Sequence, residues 1–250
     1  MPLALFDAQV WGGCAAEARK AEQVAGGSNH PVTPARQTGE VLDLILPLEC
    51  GGCGAPSTRW CEACAAELSV AADQPHVVNP RIDPQAPVFA LGRYAGARRQ
   101  AILALKEHGR GDLVAPLARA LAIGVHRLLT WGMLETPLTI VPAPTRRFAA
   151  RRRGGDPVSR LATEAVAGHP DVIVVPALRM KALARDSVGL RAAARERNIA
   201  GRVLLRGRAP STEVVIVDDI VTTGATARES VRVLRSAGVR VAAVLAIAVA

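Results

Sequence analysis

Apolar and polar positions along the chain fall into short apolar runs separated by stretches of helical spacing. Val88-Phe89-Ala90-Leu91 predicts a strand, and residues 98–107 predict a helix ending at Gly109. Leu113, Leu117, Leu121, Val125, Leu128 and Leu129 recur at helical intervals within 112–131. Leu138-Thr139-Ile140-Val141 predicts a strand, residues 157–166 a helix capped by Asp156, and residues 172–175 a further strand. A short helix is expected over 192–197. Val214-Val215-Ile216-Val217 is an all-apolar strand, residues 225–237 a helix stopped by Gly238, and residues 241–250 a final buried strand. Strands alternating with helices predict an α/β fold whose parallel sheet is covered on both faces. In such sheets ligands sit beyond the carboxyl ends of the strands.

Outside this pattern the chain divides by composition. Residues 1–39 show no sustained periodicity and contain Gly26-Gly27-Ser28-Asn29-His30-Pro31. They read as a poorly ordered extension, with a translation start near Val41 as the alternative. Residues 40–72 form a cysteine-bearing module. Residues 73–87, with Pro75, Pro80, Pro84 and Pro87, read as a linker to a main domain over 88–250.

Half of the 250 residues are hydrophobic, which excludes wholesale disorder. Only 3% are aromatic, so Ala, Val and Leu build the core, and a base-stacking nucleic-acid platform is disfavoured. No apolar run approaches the roughly 18 residues of a membrane span, and no secretory leader is evident. A cytoplasmic protein without membrane insertion is expected. The net charge of +9 is concentrated: residues 141–240 hold 19 of the 31 basic and 9 of the 22 acidic residues. That suits an anionic partner, either a phosphorylated small molecule or nucleic acid. Since 28 of the basic residues are Arg, a coding bias accounts for the same excess.

Four of the five cysteines lie within fifteen residues, as Cys50, Cys53, Cys61 and Cys64. Each pair is separated by two residues, and Gly51, Gly52 and Gly54 allow the tight turn from which two thiolates hold one metal. Structural Zn2+ is the expected occupant. Two disulfides, an iron–sulfur site or plain buried cysteines are the alternatives. The five histidines are scattered singly and suggest no catalytic arrangement. Trp11, Trp60 and Trp131 read as packing residues.

The most informative segment follows the 214–217 strand: Asp218-Asp219-Ile220-Val221-Thr222-Thr223-Gly224-Ala225-Thr226. Free amides at a helix start attract an anion, threonine hydroxyls add donors, and Gly224 permits close backbone approach. Two carboxylates suit sugar hydroxyls or a water-mediated divalent cation instead. A ribose 5-phosphate carries all the complementary groups.

Residues 214–226 resemble the signature of type I phosphoribosyltransferases for phosphoribosyl pyrophosphate (PRPP). With the four-cysteine module, Tyr94-Ala95-Gly96, Leu105-Lys106 and Val141-Pro142-Ala143-Pro144, the chain over about 41–250 resembles the ComF family of competence-related proteins. The family's Arg-Gly-Phe-Asn-Gln is replaced by Arg153-Gly154-Gly155-Asp156-Pro157-Val158. The resemblance implies a type I phosphoribosyltransferase-like sheet flanked by helices, with a small N-terminal zinc module. It implies that Asp218 and Asp219 hold the ribose hydroxyls in a catalytic role, and that Thr222, Thr223, Gly224, Ala225 and Thr226 cradle the 5-phosphate. Pro142, Ala143, Arg146 and Arg147 would form the pyrophosphate loop, and Lys181 and Arg185 part of a basic segment over 180–198 that closes on the ligand. Mg2+ would accompany PRPP, and a base-like acceptor would receive the phosphoribosyl group. A non-catalytic role in handling transforming DNA, with single-stranded DNA or a competence helicase as partner, is the other implied function. Arg151, Arg152 and Arg153 extend the basic loop, and are read either as phosphate or nucleic-acid ligands or as a solvated face.

Overall fold

In the computed structural model, which describes residues 48–145, 155–181 and 199–250, the alternating pattern becomes a six-stranded sheet with helices on both faces. In chain order the elements are α1 (Glu62–Leu68), β1 (His76–Val77), β2 (Val88–Ala90), α2 (Gly96–Glu107), a 3-10 turn (Gly111–Leu113) and α3 (Val114–Thr130). There follow β3 (Leu138–Pro142), α4 (Pro157–Ala165), β4 (Val172–Val174), β5 (Leu178–Met180), β6 (Val203–Leu205), β7 (Glu213–Val221), α5 (Ala225–Ser236) and β8 (Val241–Val249). The strand order is β1-β2-β8-β7-β3-β4. All neighbours are parallel except the edge pair β1–β2. β5 and β6 form a separate antiparallel pair.

The all-apolar runs in β7 and β8 follow from burial on both faces. Val215, Val217 and Leu245 join one core cluster with Ile102 and Leu105 of α2, Leu117 and Leu121 of α3, and Leu161 of α4. Val214, Ile216 and Val244 join the other, with Val231 and Leu234 of α5 and Leu178, Met180 and Val203 of the small sheet. Val214 to Val217 are each at most 1% exposed, and burying such a side chain contributes about 1.5–3 kcal/mol. By length and composition Gly111–Thr130 would qualify as a membrane span, yet Leu113, Leu117, Leu121 and Leu128 are fully buried in the first cluster.

Several boundaries differ from expectation for identifiable reasons. β7 has nine residues rather than four, because β8 offers it backbone partners out to Val249. Both acids therefore lie within a strand rather than beyond one. α2 begins at Gly96, where the Glu67 carboxylate caps the Ala97 N–H at 2.9 Å. α1, β1, β5 and β6 were not foreseen, being too short to display a period. Segment 73–87 lies against the sheet: the Val78 N–H donates to Val88 and the Ile82 N–H to the Thr223 carbonyl. Trp60 packs against the core, but Trp131 is 44% exposed after α3. The expected 192–197 helix and the 1–39 extension lie outside the described residues.

Asp156 caps α4 as the sequence predicts, accepting from the Val158 N–H at 3.3 Å and from the Ser159 hydroxyl at 2.6 Å. It also accepts from the Thr145 hydroxyl at 2.7 Å. Asp156→Ala is expected to cost about 1–2 kcal/mol of stability, read by urea denaturation. An unshifted midpoint would contradict this role.

Candidate functional site

The four cysteine sulfurs all lie within 4.8 Å of one another, with Cys53 and Cys61 Sγ 3.6 Å apart. Neighbouring sulfurs in a tetrahedral zinc–thiolate shell are about 3.8 Å apart, given bonds of about 2.3 Å. The Cys50 sulfur accepts from the Gly52 and Cys61 N–H groups, each at 3.4 Å, and the Cys61 sulfur from the Cys64 N–H at 3.5 Å. These turns aim backbone dipoles at thiolates. Burial raises the Cys50 pKa, but the amides of Cys53, Cys61 and Gly52 outweigh it and bring the thiol to about 6. Burial and the neighbouring cysteines push Cys64 the other way. The donor set fits a structural metal ion such as zinc, and a closed four-thiolate shell leaves no position for substrate.

The module is bound tightly to the main sheet's helices. Arg110 donates to the Glu49 and Arg59 carbonyls of the cysteine loop at 3.0 and 3.3 Å, and holds Asp112 through two bonds at 2.9 and 2.7 Å. That fork holds the Asp112 carboxyl below the usual range. Arg127 of α3 donates to the Val70, Ala71 and Gln74 carbonyls beyond α1.

A second constellation lies at the carboxyl end of the sheet. From β3 the chain leaves through α4, which packs on one face, whereas from β7 it leaves through α5 on the other. Adjacent strands whose connections diverge in this way open a crevice at their carboxyl ends. Pro142 stands opposite Val217 at that end of β3, and the Ala143 N–H donates to the Val217 carbonyl at 2.8 Å. On β7, alternation sends the two acids in different directions. Asp219 is 5% exposed and pairs with Lys106 Nζ of α2 at 2.5 Å. Asp218 instead lines a hollow of about 50 Å³ with Ile199, Ile220 and residues 221–227.

Asp218 keeps part of its surface open to this hollow, yet burial raises its pKa well above the usual carboxylate range. The Asp219 charge adds to the shift and Lys106 opposes it. The Asp219 N–H donates to Asp218 Oδ1 at 2.9 Å. Gly224 caps α5 with φ +86°, a conformation that suits glycine, and a side chain there would strike Pro80 and the Ile82 carbonyl. The N-cap residue Gly224 has no side chain to cap α5, and the first amide, of Ala225, donates to the Thr223 hydroxyl at 3.4 Å. The helix-start amides and threonine hydroxyls on the rim of the hollow are donors suited to an anion, and the Asp218 carboxyl is an acceptor suited to hydroxyl groups.

The loop from Thr222 to Thr226 and Asp218 thus come together, with Pro142 and Ala143 on the neighbouring strand end. Asp219 faces Lys106, and exposed Lys181, just after β5, is not among the residues lining the hollow. Arg146, Arg147, Arg151, Arg152, Arg153 and Arg185 lie outside the described residues. Lys106 was not foreseen as a site residue. The available signal was compositional: it is one of three lysines in a chain whose other 28 basic residues are arginine. A larger hollow of about 480 Å³ is lined by residues of segment 77–88, among them Pro80, which lies against Gly224. No protein-family model matches the chain, and no curated protein matches it.

Purified protein under reducing conditions is expected to carry one zinc per chain by elemental analysis, and Cys50→Ser to lose it. A folded wild type with no metal would overturn the assignment. Lys106→Met, which leaves the Asp219 carboxylate buried without its cation, should cost about 3–5 kcal/mol by denaturant titration. The K106M/D219N pair should recover much of that loss; equal losses in both variants would exclude the pairing as the cause.

Proposed function

We propose that the chain is a PRPP-binding protein of the phosphoribosyltransferase type, similar to the ComF family, using the hollow between Asp218 and the 222–226 loop. The reading is carried by one observation: a central parallel strand ends in a carboxyl-lined hollow whose other wall is a threonine-rich helix start with glycine at its N-cap. The 5-phosphate would lie against the 223–226 amides and hydroxyls, and the ribose hydroxyls would reach Asp218. Asp219 contributes indirectly, as the anchor that Lys106 holds beneath the strand end. Pro142 and Ala143 would border the pyrophosphate, adjacent to β7.

Transfer would form a bond from an acceptor nitrogen of a base-like compound to the anomeric carbon. The carbon–oxygen bond to pyrophosphate breaks and its electron pair departs with the leaving group. Bound Mg2+ would neutralise that group's charge. Asp218 would orient the sugar through its hydroxyl groups.

The concentration of basic residues in 141–240 favours a second reading, a non-catalytic relative that handles single-stranded DNA and works with a helicase partner. Calorimetry with PRPP and Mg2+, a pyrophosphate-release assay across nucleobases, and DNA binding over a salt series separate the two. Turnover supports transfer; salt-steep DNA binding without turnover supports the second reading.

Asp218→Asn is expected to weaken PRPP binding at least tenfold. Because burial raises the Asp218 pKa in the folded state, its stabilising contribution is complete below the unfolded carboxylate's pKa and is lost as pH rises through the folded value. The same variant should therefore be more stable than wild type at neutral pH, and the difference should vanish in acid. Unchanged affinity together with lowered stability at pH 7 would contradict the assignment.

A further inference from the structure

We propose that Glu67 is a positioning residue through which metal held by the four cysteines braces the 218–226 site. The inference rests on the proposed use of that site. It follows from an unbroken run of contacts. Cys61 caps α1, Cys64 lies within it, and Glu67 sits on its last turn. Cys64 and Cys50 pack with Ala97, in the first turn of α2, as one small buried cluster. The Glu67 carboxylate accepts the Ala97 N–H at 2.9 Å and fills the space where a side chain at Gly96 would stand. It is also the anionic neighbour of Arg98, a guanidinium only 8% exposed whose Nε has no hydrogen-bond partner.

α2 carries this contact to the second site. Lys106 lies nine positions beyond Ala97, a span of about 14 Å along a helix. The Lys106 ammonium lies 2.5 Å from buried Asp219, whose own N–H is bonded to Asp218. Beyond the far end of α2, Arg110 returns to the cysteine loop through the Glu49 and Arg59 carbonyls. Leu113 then packs so closely on Gly51 that a side chain there would lie 2.6 Å from it. The helix bearing Lys106 is therefore tied to the cysteine loop at both ends. Closing the thiolate shell fixes Cys61 and Cys64, hence α1, hence the register of α2. Metal binding and ligand binding are then coupled, and the coupling is reciprocal.

The test uses the full chain, zinc-loaded or chelated, as wild type, Glu67→Gln and Glu67→Ala. Backbone hydrogen exchange over 213–227 needs no ligand and reports strand-end order directly. Zinc-loaded E67A, its metal content and circular dichroism matching wild type, is expected to exchange faster there and to bind PRPP with Mg2+ about fivefold more weakly. E67Q keeps an oxygen able to accept the Ala97 N–H and should recover most of both effects. Chelated wild type should behave as E67A does; if chelation unfolds the chain, zinc-loaded E67A decides. Exchange over 213–227 unchanged in E67A, with faster exchange confined to residues 48–70, would overturn the inference. Failure of wild type to bind PRPP would instead remove the proposed ligand, while the exchange arm would still decide whether the two sites are coupled.

Discussion

The Lys106–Asp219 ion pair allows two adjacent carboxylates to sit within a central strand. β7 continues past its apolar run because β8 keeps offering it partners, so Asp218 and Asp219 are carried into a nearly dry sheet end. Two buried like charges side by side would push each other toward protonation. The lysine neutralises one of them from α2, and the other is left facing the hollow at the start of α5. Removing that cation would leave the Asp219 carboxylate buried without its ion-pair partner.

Around this pair the molecule is organised as two supports. On one face α2, α3 and α4 pack on Val215 and Val217, and the four-cysteine module in turn ties down α2 and the turn after it. On the other face α5 and the small β5–β6 sheet pack on Val214 and Ile216. Segment 73–87 closes over the loop, with the Ile82 N–H bonded to the Thr223 carbonyl. A carboxyl, hydroxyls and helix-start amides are thereby presented together by elements that are rigid for reasons of core packing.

Much of the fold was legible from period alone. The continuous apolar runs at 214–217 and 241–249 read as strands buried on both faces, as they are, and Asp156 before Pro157 announced its cap. The cysteine spacing likewise announced a common ligand set, and the sulfurs do converge. What period could not convey was the length of β7, since Asp218 and Asp219 have poor strand propensity and stay paired only because of β8. Nor could it show that Lys106 answers Asp219 or that the Glu67 carboxylate meets the start of α2. Both contacts join residues 30 or more positions apart, and no local signal encodes them.

The proposed site turns on which ligand groups meet which walls of one small hollow. A structure solved with PRPP and Mg2+ bound would show this directly. The 5-phosphate is expected on the 223–226 amides, the ribose hydroxyls against Asp218, and Lys106 still bonded to Asp219. Ligand seated elsewhere on the chain, or an Asp218 carboxyl turned away from the sugar, would contradict it.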